Sequence, residues 1–93
     1  MIIRWTDEAF AELSAMLDYL EQNAPEVARG LSARVQLAQQ HILTLPRAAT
    51  FDPQTNTYDR YIPKTRVILT YAINDDFIEI IRVWHTSRDP ETR

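Results

Sequence analysis

The feature that most limits how this chain can fold is the stretch from residue 66 to 89, RVILTYAINDDFIEIIRVWHTSRD. Two runs rich in β-branched and aromatic residues, Val67 to Ile73 and Phe77 to Trp84, flank Asn74-Asp75-Asp76, whose side chains favour turns and accept positive φ. This pattern predicts an antiparallel β-hairpin. Its second strand carries Arg82 and delivers His85, Arg88 and Asp89 at a sheet edge, which is where chemistry is expected.

Upstream, Ile2, Ile3 and Trp5 around Arg4 predict a short strand, and Thr6 is placed to cap a helix that has Asp7 and Glu8 in its first turn. Phe10, Leu13, Leu17 and Leu20 recur at helical spacing with Ala9 and Met16 beside them, leaving Glu12 and Glu21 off that face. Gln22-Asn23-Ala24-Pro25 breaks the pattern, with Asn23 suited to a left-handed helix end and Pro25 to the first position of a second helix. That helix keeps its stripe over Val27, Leu31, Val35, Ala38, Ile42 and Leu45 and stops at Pro46. Gly30 inside it is expected to mark close packing of the two helices.

Residues 47–57 have no period and contain Asp52-Pro53, so they predict an exposed loop with a turn near Pro53. Tyr58 to Ile62 predicts a short strand ended by Pro63, and Pro90-Glu91-Thr92-Arg93 a polar tail. The order β-αα-β-β-β makes an α+β domain in which a helical hairpin packs on one face of a small, mostly antiparallel sheet. Alternation puts Phe77, Glu79, Ile81, Val83 and His85 on one face of the last strand and Ile78, Ile80, Arg82 and Trp84 on the other. Neither set is cleanly apolar. Two readings remain, a two-sided core or an open face that is partly apolar and suited to a partner.

Ninety-three residues, 45% of them hydrophobic, suit a single folded domain spanning residues 1–93 with one core. There is no Cys, which excludes disulfides and thiolate metal sites and fits a reducing cytoplasm. Neither a signal-peptide h-region nor a membrane-length apolar run is present. A net charge of −3 argues against a surface built throughout for phosphates. Residues 1–59 hold four basic groups against eight acidic ones, and residues 60–93 six against five, so an anionic partner is expected to meet the second half.

Within that half, Arg60, Lys64, Arg66, Arg82 and Arg88 either converge on one end of the sheet to hold phosphates or carboxylates, or form a solvated rim beside Asp59, Glu79 and Asp89. His85 is either a proton-transfer group or a strand-end histidine bonded to backbone; His41, beside Ile42 on the second helix, reads as structural or solvated. No His/Asp/Glu spacing suggests a metal, and one Gly cannot make a phosphate loop.

Taken in order, the opening strand, the helical hairpin ending at Leu45-Pro46, Tyr71-Ala72-Ile73-Asn74-Asp75-Asp76 and the strand from Ile80 running into His85-Thr86-Ser87-Arg88-Asp89-Pro90 resemble the RelE/ParE superfamily of toxins from bacterial type II toxin–antitoxin systems. The H-x-x-R-D ending is the most specific part. The resemblance implies a growth-inhibiting toxin neutralised by a cognate antitoxin in a toxin–antitoxin hetero-oligomer, acting on DNA gyrase (ParE-like) or, alternatively, as a ribosome-dependent endonuclease on mRNA (RelE-like). A third possibility is an inactive toxin-fold binding module.

The nuclease branch typically has an arginine three residues before the tyrosine that matches Tyr71, where this chain has Ile68. That departure, the acidic pI and the two long helices favour the gyrase reading, which implies no catalytic residue. The nuclease reading implies His85, with Arg66 or Arg82 in place of the missing arginine. Under either, Arg60, Lys64, Arg66, Arg82, His85 and Arg88 are the expected target- or antitoxin-binding groups, with no cofactor and no membrane. The partner expected for the apolar surface is a mostly disordered acidic segment that folds on binding.

Overall fold

A computed structural model describes residues 1–86; Arg88, Asp89 and the polar tail lie outside the described residues. The elements are β1 (Ile2–Trp5), α1 (Asp7–Asn23), α2 (Pro25–Thr44), β2 (Thr50–Asp52), β3 (Thr57–Tyr61), β4 (Val67–Ile73) and β5 (Phe77–His85). The α+β arrangement of a helical hairpin on a sheet is as the sequence predicts, with one strand more.

The helix starts follow from unpaired backbone donors. Thr6 Oγ1 accepts the Ala9 N–H at 3.0 Å, and Asp7 and Glu8 sit at the positive end of the α1 dipole. The same hydroxyl donates to Ile81 O at 3.2 Å while the Thr6 N–H donates to Ile80 O at 3.0 Å, so the cap also ties α1 to β5. Pro25 opens α2 at its first position. Asn23 does not take the left-handed conformation expected of it. Its amide donates to Tyr19 O at 2.7 Å, and the extended Ala24 (φ −158°) makes the break instead. The expectation for Gly30 is also overturned: a Cβ there would meet nothing within 4 Å, so its cost of about 1 kcal/mol against alanine brings no closer packing.

The five strands run in the order β1-β5-β4-β3-β2, with β1 parallel to β5 and the other pairs antiparallel. The added strand β2 lies in the segment expected to be loop. It is three exposed residues long, too short to show a period, and is held by pairing with β3 and by the Phe51 and Tyr58 rings, 4.8 Å apart. The turn near Pro53 is as expected. It is closed by the Asn56 N–H to Asp52 O at 2.8 Å, with Asn56 at φ 60°.

The face assignment of β5 is corrected by a bulge. Thr70 opposes Arg82 while Tyr71 opposes Ile80, which leaves Ile81 without an opposite residue and reverses the alternation beyond it. Ile78, Ile80 and Val83 therefore share the buried face with Val67, Leu69 and Tyr71, and Arg82 is turned out. Those strand residues pack with Ala9, Leu31, Val35, Ala38 and Ile42 in one core between the helices and the sheet. Along the stripes, Phe10, Val27 and Leu45 remain largely exposed. The opposite sheet face is no second core. Its side chains are half-buried and linked by polar bonds, Trp84 Nε1 to Thr70 Oγ1 at 2.9 Å and Thr70 Oγ1 to Asp59 Oδ1 at 2.7 Å.

Candidate functional site

Because Val67 and His85 are directly opposed, the start of β4 and the end of β5 arrive together. They meet the α1–α2 turn around a cavity of about 540 Å³. Met16, Leu20, Val27, Leu31 and Val67 give it apolar walls, and Gly30 leaves one stretch of the α2 wall without a side chain. Arg34, Lys64, Arg66 and His85 line the same cavity, against one acid among the described residues, Glu26.

The β3–β4 connection holds these groups. Ile62 N–H donates to Val67 O at 2.9 Å, and Thr65 N–H to Ile62 O at 3.3 Å, closing a tight turn over Pro63 and Lys64. Lys64 has φ 64°, a left-handed conformation that favours glycine and costs other residues about 1–3 kcal/mol. Arg34 Nε donates to Pro63 O at 3.1 Å, tying α2 to the turn. The Arg66 carbonyl accepts both the Thr86 N–H (2.8 Å) and Thr86 Oγ1 (3.2 Å), which fixes the chain just past His85.

The basic groups named from the sequence therefore come together only in part. Lys64, Arg66 and His85 share the cavity; Arg60 and Arg82 do not line it, and Arg88 lies outside the described residues. Arg60 reaches the far end of α2, where a guanidinium nitrogen stands 3.0 Å from His41 Nδ1. His41 there accepts from the arginine. Arg82 is held by Glu12, whose Oε2 lies 3.2 Å from the guanidinium. Of the acids expected beside these arginines, Asp59 accepts from Thr70, Glu79 stands opposite Arg4 and Ala72 in the sheet register, and Asp89 lies outside the described residues.

Beyond Arg60 an aromatic row crosses the sheet from Phe51 through Tyr58 to Tyr71, the last two rings stacked at 5.4 Å. Tyr71 is fully buried and donates to Pro46 O at 2.6 Å. Burial pushes its phenol pKa up, with the Arg60 charge opposing and Tyr58 adding to the rise.

Sequence reasoning misses Glu12 and Arg34. Glu12 lies off the apolar face of the helix but against the sheet edge beside it. Gly30, a helix-interior glycine without a packing reason, borders the cavity.

Among the described residues, no group of three or more His, Cys, Asp or Glu could hold a metal ion, and no helix is long and apolar enough to cross a membrane. Comparison with known proteins agrees with this fold. A family profile described as "ParE toxin of type II toxin-antitoxin system, parDE" matches residues 3–90. "Toxin RelE2" of Caulobacter vibrioides is 26% identical over 84 residues, covering 90% of this chain and 93% of the relative. The solved "Chromosomal ParDE TA system from P. aeruginosa" contains a chain that superposes with a TM-score of 0.77 at 17% identity, covering 91% of this chain and 95% of that one.

Proposed function

This chain belongs to the ParE toxin family of type II toxin–antitoxin systems, and from that premise we propose that it arrests growth by poisoning DNA gyrase, without covalent chemistry of its own. Family membership implies a cognate antitoxin as partner. One observation supports the gyrase reading: of the two arginines available to replace the one absent at Ile68, Arg82 is held away from His85. A ribonuclease reading needs His85 with Arg66 or Arg82 at one scissile phosphate. Arg66 and His85 line the cavity, but Arg82 is tied to Glu12, and three residues of strand amount to about 10 Å of separation from His85. The missing arginine at Ile68 points the same way.

The mRNA endonuclease remains the second reading because a relative carries the name "Toxin RelE2" and because Arg66 and His85 do face one space. The test is supercoiling by purified gyrase with and without this protein, run beside cleavage of mRNA on translating ribosomes. Gyrase inhibition without cleavage is expected. Ribosome-bound cleavage with normal supercoiling overturns the proposal.

A further inference from the structure

Two residues on the cavity break the local rules of their own elements in opposite senses. Gly30 stands inside α2 where alanine would fit without a contact, and Lys64 takes the left-handed turn position that glycine would fill without strain. Each substitution would favour the fold, and both positions border the same space. Departures from local preference that bring no packing gain are expected at functional positions. Absence of a side chain at Gly30 enlarges the apolar wall. Presence of one at Lys64 keeps an ammonium at that space.

We propose that this cavity is the anchor site for one large apolar side chain, flanked by carboxylates, of an acidic peptide segment of the antitoxin. The inference rests on the antitoxin part of the proposed function and not on the gyrase part. Charge complementarity selects the occupant. Arg34, Lys64 and Arg66 line the cavity against one acid among the described residues, Glu26, in a chain whose net charge is −3, so the basic excess is local. Among the described residues, neither Lys64 nor Arg66 has an ion-pair partner. The volume lies within the range of sites that take a compact ligand or side-chain cluster.

The test is titration of the isotope-labelled full chain, followed by amide NMR shifts, with the capped peptide Glu-Asp-Trp-Leu-Glu-Asp, a counterpart with lysines for the acids and one with serines for Trp-Leu. Only the acidic apolar peptide is expected to shift residues 27–34 and 64–67. Gly30→Leu, whose side chain would occupy the cavity, should weaken binding at least about tenfold, an effect comparable to losing a central anchor. Gly30→Ala is the variant certain to fit and should weaken it by a smaller factor. Lys64→Gly should weaken binding and lessen its salt dependence.

Equal binding of the lysine or serine peptide, no shift with any peptide, or unchanged affinity of Gly30→Leu with its melting transition intact would overturn the inference. So would a dimer of the free protein that Gly30→Leu abolishes, since the occupant would then be a second copy. Gyrase supercoiling measured on the same samples is independent: inhibition without peptide binding removes this inference alone, and peptide binding without inhibition removes the gyrase reading alone.

Discussion

The Glu12 carboxylate completes the edge of β5 at Val83. Its Oε1 accepts the Val83 N–H at 2.7 Å where β1 has already ended, and its Oε2 takes the Arg82 guanidinium at 3.2 Å. A helix side chain thus does for Val83 what a longer β1 would have done, satisfying a half-buried donor and holding α1 over the bulge.

Glu12 is therefore expected to matter more than Arg82. Glu12→Ala strands the Val83 N–H and should cost about 1–3 kcal/mol, whereas Arg82→Ala removes a solvent-exposed partner and should cost less than about 1 kcal/mol. Glu12→Gln, which keeps an acceptor, should fall between them. Urea midpoints at neutral pH check the order; Arg82→Ala as damaging as Glu12→Ala would make the ion pair, not the edge bond, the important contact.

Thr6 joins two elements through one hydroxyl, accepting from Ala9 and donating to Ile81. Thr6→Ala should cost about 1–2 kcal/mol. Thr6→Asp should restore the cap but not the Ile81 bond, and a partial recovery by thermal melting separates the two contributions. Full recovery would show that the link to β5 contributes nothing.

Much of this architecture is legible in residue order because it is local. Thr6 capping α1, Pro25 starting α2 and Asn74-Asp75-Asp76 turning the last hairpin are decided within a few residues of chain. What escaped depends on partners distant in sequence. The bulge at Ile81 sits where Thr6 bonds the carbonyls of both Ile80 and Ile81, 75 residues away in the case of the hydroxyl bond. No periodicity within β5 contains that fact, and strict alternation consequently mixed Val83 with exposed positions. The cavity is half legible. Lys64, Arg66 and His85 stand out for their chemistry, but excluding Arg60 and Arg82 from the same group requires knowing that His41 and Glu12 stand closer to them.

Stability should rise on relaxing the two rule-breaking positions. Gly30→Ala is expected to add about 1 kcal/mol, which for a domain of this size is roughly 4–8 °C in melting temperature. Lys64→Gly should add less, because glycine also loosens the unfolded chain. Calorimetry of both variants checks this. A destabilised Gly30→Ala would mean that the α2 wall is closer to its neighbours than the geometry gives.

Tyr71 sets an alkaline limit. Its pKa is raised by burial above the ordinary value of about 10, so the folded state keeps a proton that the unfolded chain releases. Its contribution is constant below the unfolded value and is lost as pH rises past about 10 towards the folded one. Tyr71→Phe should remove that part of the alkaline slope while costing about 1 kcal/mol at neutral pH through the lost bond to Pro46. Urea denaturation of both proteins at pH 7 and above pH 10 measures it; parallel slopes would reject the assignment.

His85 separates the two readings of the target. It opposes Val67 at the end of β5 and lines the same cavity as Arg66, so an anionic substrate held there would meet both residues. A histidine acting as general acid or base contributes about 10²–10⁴-fold in rate, and Gln can replace its hydrogen bonds but not its proton transfer. If the protein poisons gyrase, His85→Gln should shift the inhibitory concentration far less than that, because binding alone is affected. Arg66→Ala should weaken inhibition most at low salt and less as salt is raised, since an exposed cation acts through a screened charge. Dose–response curves for gyrase supercoiling, with mRNA cleavage on ribosomes in parallel, give both numbers. A hundredfold loss of ribosomal cleavage in His85→Gln, with wild-type protein inactive on gyrase, would transfer the protein to the nuclease branch and make His85 its catalytic residue.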